Sequence, residues 1–307
     1  MTFVASPATR AYAGQKGVDL DDLARDTGRT MIAREDIDLY LNDQAPPVAK
    51  PELSAHPSRY WQVDHTAFGP VQLEPLSRLA QATSANLGAA NTMIPQVTHH
   101  DRADMRAVDQ MRHALSDEAT SQGVKLTALA FHIKALARCL LEFPRFNASL
   151  DAEGTALILK NYVHIGIAVD TAHGLIVPVI RDADQKGLWT IAAEIADLAA
   201  RAQARKIKPD ELGGASMTIS NLGGIGGSAF TPIVNPPEVA ILGLTRTEIA
   251  PVWNGEAFKP VPMLPLDLSY DHRVINGAAA ARFLARFAAI IENPRRMVLN
   301  RPGSTGG

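Results

Sequence analysis

An apolar run at residues 263–268 leads straight into residues 269–283, SYDHRVINGAAAARF, and this junction constrains the fold more than any other stretch. The run reads as a strand. Past Asn276 and Gly277, the spacing of Ala280, Phe283, Leu284, Phe287 and Ile291 reads as a helix with one apolar face. Asp271, His272 and Arg273 therefore sit at the end of a strand, where a rigid scaffold aims a side chain and a loop exposes it. Taken alone, Asp271 and Arg273 read as a solvated charge pair, and Asn276 as an N-cap for the helix that follows.

Helix and strand patterns mix along residues 59–307 without the strict order of a doubly wound sheet, which favours an α+β fold. Pro75 opens a helix with Leu76, Leu79, Ala80 and Leu87 on one face. A β-type segment covers 93–99, and a helix carrying Met105, Val108, Met111 and Leu115 follows. An apolar helix at 126–143 ends against Pro144. Strands are expected at 155–160, 163–169 and 175–180, a helix at 191–205, and strands again at 216–220, 239–244 and 263–268.

Ahead of this domain, residues 5–41 read as a small helical unit. Ser6-Pro7 starts one helix, Gly17 closes it, Asp19 and Asp21-Asp22 cap a short turn, and a second helix runs over 33–41. Residues 42–58 hold Pro46, Pro47, Pro51 and Pro57 and read as a stiff linker. The expected organisation is a module at 1–41, a linker at 42–58 and a large domain at 59–307.

With 307 residues, 46% of them hydrophobic, the chain can bury a large core. Its net charge of -2 gives no electrostatic reason to expect nucleic acid or an anionic membrane as partner. Single Cys139 leaves neither a disulfide framework nor a zinc site. The apolar segment 126–143 contains His132, Lys134, Arg138 and Glu142, which suits a buried core helix rather than a membrane span. No signal or transit pattern opens the sequence, so the cytoplasm is the expected location.

Residues 216–230, SMTISNLGGIGGSAF, include Gly224-x-Gly226-x-x-Ala229, the form of a dinucleotide-binding fingerprint. That motif needs a helix to start there, and Pro232, Pro236 and Pro237 forbid a long one. A glycine-lined passage is expected instead, with Ser220 at the end of the strand beside it. His99-His100-Asp101 offers no metal site, because neighbours in a strand point to opposite faces. His132 and His164 alternate with apolar residues and are expected to be satisfied core histidines; Asp170 reads as a turn former.

Two resemblances gather these pieces. ASPATRAYAGQKGVDLDDLARDTGRTMIAREDIDLYL resembles the peripheral subunit-binding domain of 2-oxo acid dehydrogenase complexes through Ser6-Pro7, Arg10, Gly17-Val18-Asp19-Leu20 and Glu35-Asp36-Ile37. It departs at Met31, where family members carry an arginine, leaving Arg29 or Arg34 as substitutes. Five later motifs, TMIPQVTHHDRADM, FNASL, VHIGIAVDTAHGLIVPVIRDAD, TISNLGGIGGSAFTPIVNPPEVAILG and SYDHRVINGAAAARF, occur in the order of the dihydrolipoamide acyltransferase catalytic core. Segment 250–283 looks most like the acetyltransferases of pyruvate dehydrogenase complexes.

The resemblance implies a chloramphenicol-acetyltransferase-like fold: a mixed sheet packed with helices. It implies acyl transfer, acetyl in the pyruvate-type relatives, between the thiol of a dihydrolipoyl group and that of coenzyme A. The catalytic residues it points to are His272 as base, Ser220 as oxyanion donor and Asn276 where many relatives carry an aspartate. Arg78 is the candidate for coenzyme A phosphate, and Arg10 and Arg29 for partner contacts. It further implies a homotrimer with His272 of one copy facing Ser220 of the next, and no metal. No Asp-Lys pair of the lipoyl type occurs, so a lipoyl-domain protein is expected in trans. Decarboxylase or dihydrolipoyl dehydrogenase components are the expected partners of the module. The polar tail ENPRRMVLNRPGSTGG suggests trimers that stop short of a cage. The rival readings are an idle docking subunit of such a complex and an acetyltransferase acting on small alcohols.

Overall fold

Local capping explains where the first helix begins. The Ser6 hydroxyl accepts the Thr9 N–H at 3.1 Å while Pro7 presets the opening turn. That helix, α1 (Pro7–Lys16), closes at Gly17, whose φ of 68° lies in the left-handed region. The computed structural model describes residues 3–44, 62–295 and 297. Contacts divide the chain into two units, Met1–Glu74 and Pro75–Gly307, so the second opens at Pro75 where the sequence reading opens it at residue 59. From residue 45 onward the expected linker at 42–58 lies outside the described residues.

In the first unit β1 (Val4–Ala5) pairs in parallel with β2 (Met31–Ile32). Helices α2 (Leu20–Thr27) and α3 (Arg34–Gln44) complete it. Ala13, Leu23, Ala24, Ile32 and Ile37 form its small core. The turn expected after Asp19 is thus a helix in its own right, capped by that aspartate, because Leu23 and Ala24 have a core to enter.

The second unit contains, in order, α4 (Arg78–Met93), β3 (Gln96–Asp104), α5 (Arg106–Ala114), α6 (Ser116–Ser121), α7 (Ala128–Glu142), β4 (Ala148–Leu150) and β5 (Leu157–Leu159). There follow β6 (Ile165–Ile167), β7 (Val169–Thr171), β8 (Gly174–Ile176), β9 (Val179–Ile180) and α8 (Leu188–Gln203). Last come β10 (Met217–Asn221), β11 (Ala240–Leu244), β12 (Glu248–Trp253), β13 (Phe258–Asp271) and α9 (Gly277–Ile291).

Several boundaries differ from the sequence reading. Helix α4 starts at Arg78 and not at Pro75, because the Ser77 hydroxyl accepts the Ala80 N–H and Leu76 is exposed. The helix expected through Leu115 breaks there into α5 and α6. Strand β12 was hidden by Pro251 and by exposed Ile249, Val252 and Trp253.

Seven strands form one mixed sheet in the order β12-β13-β11-β10-β6-β9, with β3 also on β13. Strand β10 is parallel to β6 and β11; β13 is antiparallel to β11, β12 and β3. This is the expected α+β class. The period of two splits β13 cleanly. Leu264, Leu266, Leu268 and Tyr270 enter the main core with residues of α7, α8 and α9. Asp267, Ser269 and Asp271 lie on the opposite face, yet they are buried as well. Residues 222–239 cover that second face, where Val234 packs with Ala90, Ile94 and Ile241.

His164 is satisfied as expected: its Nδ1 accepts the Asp182 N–H at 2.9 Å. His132 is buried in α7, but neither ring nitrogen has a partner among the described residues, which corrects the expectation of a satisfied histidine. Its neighbours along the helix are apolar, and burial holds its pKa down at about 4 against an ordinary 6.5. Between those values the unfolded chain carries the proton and the folded chain does not, so stability falls as pH drops through this window. We expect about 2 kcal/mol to be lost through this group between pH 7.5 and pH 5. His132→Leu should flatten that slope in urea unfolding curves measured at the two pH values.

Candidate active site

The turn after β13 is held from four directions. Asp271 is buried and its carboxylate takes Arg273 in a two-oxygen grip, with Nη2 at 2.7 Å and Nε at 3.0 Å. The same carboxylate accepts the Arg273 backbone N–H. The pair is therefore anchored on a buried acid, where the sequence suggested two solvated charges. The His272 N–H donates to the Pro95 carbonyl at 3.1 Å, and Arg145 donates to the Val274 carbonyl at 3.0 Å. Asn276 accepts the Ala279 N–H at 2.9 Å and caps α9. The outcome is an exposed His272 ring on a backbone with little freedom, its centroid 5.8 Å from that of Tyr270.

Ser220 stands near the end of β10, half-buried. Register fixes its neighbours: Ser220 pairs with Gly243, Gly243 with Asp267, and Asp267 with His100. Paired residues put their side chains on one face, so these four form a row across the sheet. The same register separates Ser220 from His272. Two strand spacings across and five residues along β13 amount to roughly 19 Å within one chain. Thus one chain does not bring the two expected catalytic groups together.

The glycine-rich segment after Ser220 is a strap over this face. Asp267 accepts the Phe230 N–H at 3.2 Å. Gln96 donates to the Pro232 carbonyl at 3.0 Å and accepts the Val234 N–H at 2.7 Å. Asn86 reaches Asn235, and the Asp271 N–H donates to the Val239 carbonyl. No helix starts in the strap, in keeping with the rejected dinucleotide reading. Sequence reasoning passed over Asp267 and Phe230 and weighed His100 only as a metal ligand. The available signal was the alternation LPLDLSYD opposite a glycine, which marks a polar face that something covers.

Under the strap, the Thr218 hydroxyl donates to Glu238 at 2.8 Å, and the other Glu238 oxygen has no partner among the described residues. Burial pushes this acid up to about 7, against the pull of the Thr218 bond and of Lys160. Thr218 lies two residues before Ser220 on the same face, and a Cβ on its partner Gly166 would collide with the Thr218 hydroxyl.

A cavity of about 420 Å³ opens beside Arg273. Asp151, Glu153, Glu238 and Asp271 line it too, so its charge does not suit a run of phosphates. Arg78 is exposed at the first turn of α4, roughly 12 Å along the helix axis from Asn86, the nearest α4 residue in the cavity wall. The structure therefore does not join Arg78 to this cavity. In the small unit, Arg10 donates to the Ala5 carbonyl and lies over the Phe3 ring, 5.4 Å from its centroid. Arg29 is engaged by Asp36, whose other oxygen accepts the Ala33 N–H at 2.8 Å. Met31 is exposed.

With this geometry in view, the comparisons are specific. Residues 69–299 match the model of the 2-oxoacid dehydrogenases acyltransferase catalytic domain. The chain belongs to that acyltransferase family. The dihydrolipoyllysine-residue acetyltransferase component of the Pseudomonas aeruginosa pyruvate dehydrogenase complex is 46% identical over 299 residues, covering 96% of this chain and 55% of that protein. Its Azotobacter vinelandii counterpart is also 46% identical, covering 96% and 47%. The chain thus spans about half the length of the curated relatives it matches. Among solved structures, Azotobacter vinelandii dihydrolipoamide acetyltransferase superposes with a TM-score of 0.76 at 51% identity, covering 77% of this chain and 98% of that one. A probable dihydrolipoamide acetyltransferase from Listeria monocytogenes gives 0.69 at 30%, covering 72% and 94%.

The acyltransferase scaffold thus holds a buried acid beneath the Ser220 strand, with a titration of known sign. Between its unfolded value of 4.5 and about 7, the folded chain keeps a proton that the unfolded chain releases. Stability is full below that window and is lost as pH rises through it. Glu238→Gln keeps an acceptor for Thr218 and removes the charge. We expect it to leave stability nearly unchanged at pH 4 and to raise it by roughly 3 kcal/mol at pH 8, read by thermal or urea unfolding.

Proposed function

We propose that this chain transfers an acetyl group between a dihydrolipoyl thiol and coenzyme A, with each active site assembled from two copies. The carrying observation is a spacing. The Azotobacter vinelandii structure comes from work on the role of a serine, a histidine and an asparagine in its catalytic mechanism, residues that stand 52 and then 4 apart. Ser220, His272 and Asn276 stand 52 and then 4 apart here.

The geometry supports division of labour between copies. His272 and Ser220 sit roughly 19 Å apart in one chain, too far for a shared transition state. Each is nevertheless held on a rigid strand end. Across a subunit boundary, the His272 imidazole takes the proton of the coenzyme A thiol as its sulfur attacks the acetyl carbonyl of the S-acetyl dihydrolipoyl group. A thiol of ordinary pKa is mostly protonated at neutral pH, so a base is needed. The C–S bond forms, the carbonyl oxygen becomes an oxyanion, and the Ser220 hydroxyl of the neighbouring copy donates to it. Collapse restores the carbonyl and breaks the bond to the dihydrolipoyl sulfur, which leaves as a thiolate and takes the proton back from His272. Asn276 acts as a positioning residue by capping the helix that follows the histidine turn. The small unit, through Arg10 and its neighbours, serves to hold another component of such a complex. Arg29, tied to Asp36, contributes to that unit's own fold.

A closed trimer lets each copy offer His272 to one neighbour and Ser220 to the other. The cubic core belongs to a related pyruvate dehydrogenase complex. The tail on which the expectation of a smaller assembly rested lies, from residue 298, outside the described residues.

His272→Ala should lower kcat about 10²- to 10⁴-fold and Ser220→Ala about 10²- to 10³-fold, in an assay of acetyl transfer between acetyl-coenzyme A and dihydrolipoamide. Co-expressed in equal amounts, the two inactive variants should form rings with intact sites at about a quarter of the positions. Activity regained in the mixed assembly supports a shared site. Its absence, with mixed rings demonstrated by tagging, would refute one. Sedimentation velocity on the same samples reads the ring size, for which three copies are expected.

A further inference from the structure

The row that carries Ser220 ends in a carboxylic acid and an imidazole for which the acyl-transfer chemistry has no use. Asp267 is 1% exposed, and its Oδ1 meets His100 Nδ1 at 2.6 Å. His100 is half-exposed. The second Asp267 oxygen accepts the Phe230 N–H. A buried carboxylate left short of partners is costly, so these two donors account for its place in the sheet.

Between Asp267 and Ser220 stands Gly243, and the space above it is filled. A Cβ on Gly243 would come within 2.6 and 2.8 Å of Phe230 ring carbons and 3.1 Å of the Asp267 Cβ. The Phe230 ring therefore occupies the position a side chain would take one strand away from Ser220. Phe230 belongs to the strap, and Gly226 and Gly227 ahead of it have φ of 151° and 87°, a backbone conformation that favours glycine. The Asp267 bond is what fixes the ring's own backbone.

We propose that His100 and Asp267 are positioning residues that set acyl-chain selectivity by pinning the Phe230 ring beside the Ser220 hydroxyl. This rests on the acyl-transfer reading above and extends it to the substrate's acyl group. A methyl group fits next to a pinned ring, while a branched chain meets it. Loosening the pin enlarges the space and costs the small substrate little.

The test uses the full chain in its assembled state with acetyl- and isobutyryl-coenzyme A as donors and dihydrolipoamide as acceptor. Asp267→Ser removes both bonds. Asp267→Asn can still accept from Phe230 and donate to His100, so it serves as the conservative rescue. Asp267→Ser should narrow the acetyl over isobutyryl ratio of kcat/KM by about tenfold, the scale of one or two methylenes in a fitted pocket. The change should fall mainly on isobutyryl KM, and Phe230→Ala should do the same without adding to it in the double variant. Asp267→Asn should retain the wild-type ratio. Independently of activity, hydrogen exchange of the peptide containing Phe230 should quicken in Asp267→Ser and not in Asp267→Asn.

Equal loss for both acyl groups, or unchanged exchange at Phe230, overturns the inference and leaves acyl transfer standing. If the wild-type chain transfers neither group, the parent reading falls and this one with it, a result that differs visibly from the first.

Discussion

Everything near the candidate site depends on how one polar face of β13 is sealed. Asp267, Ser269 and Asp271 leave water on folding, and each must find a partner or make folding costly. Thr98 meets Ser269 at 2.8 Å, His100 and the Phe230 N–H take Asp267, and Arg273 takes Asp271. These bonds fasten the strap at one end and the histidine turn at the other. The same interactions that satisfy the buried face therefore aim the groups that do chemistry. Loop placement by strand-borne polar residues gives precision that the glycine-rich strap lacks by itself.

Two apolar layers make such a face affordable. Leu264, Leu266, Leu268 and Tyr270 bury into the main core on the other side, at about 25 cal/mol per Å² of apolar surface. Val234, Ile241, Ala90 and Ile94 add a small cluster under the strap. Polar satisfaction then fixes which residues face which, since a one-residue slip would exchange the two faces of β13. Glu238 and His132 are two of the described residues whose satisfaction is incomplete, and they tilt stability in opposite directions with pH.

The arrangement also explains why a second copy matters. A sheet holds its strand ends far apart, which is what makes each end rigid. His272 and Ser220 occupy opposite ends of two strands with β11 between them, so one chain cannot close a site around a thioester. Association solves this without bending the sheet. Family membership, drawn from residues 69–299, agrees with the five motifs read from the sequence.

Much of this was legible beforehand. Helix caps at Ser6 and Asn276, the left-handed closure at Gly17 and the core helix around Phe131 follow from local chemistry that the sequence carries within a few residues. The motif around His272 and the order of the five segments named the family. What stayed hidden depends on contacts distant in sequence. LPLDLSYD reads as a strand with one wet face, because alternation reports polarity and not what lies above it. Only the folded chain puts residues 222–239 over that face, sets Phe230 against Gly243, and pairs Asp267 with His100 across 167 positions of sequence. Local propensity and periodicity reach along the chain; register, coverage and the distance between Ser220 and His272 are set by strand order, which no short stretch encodes.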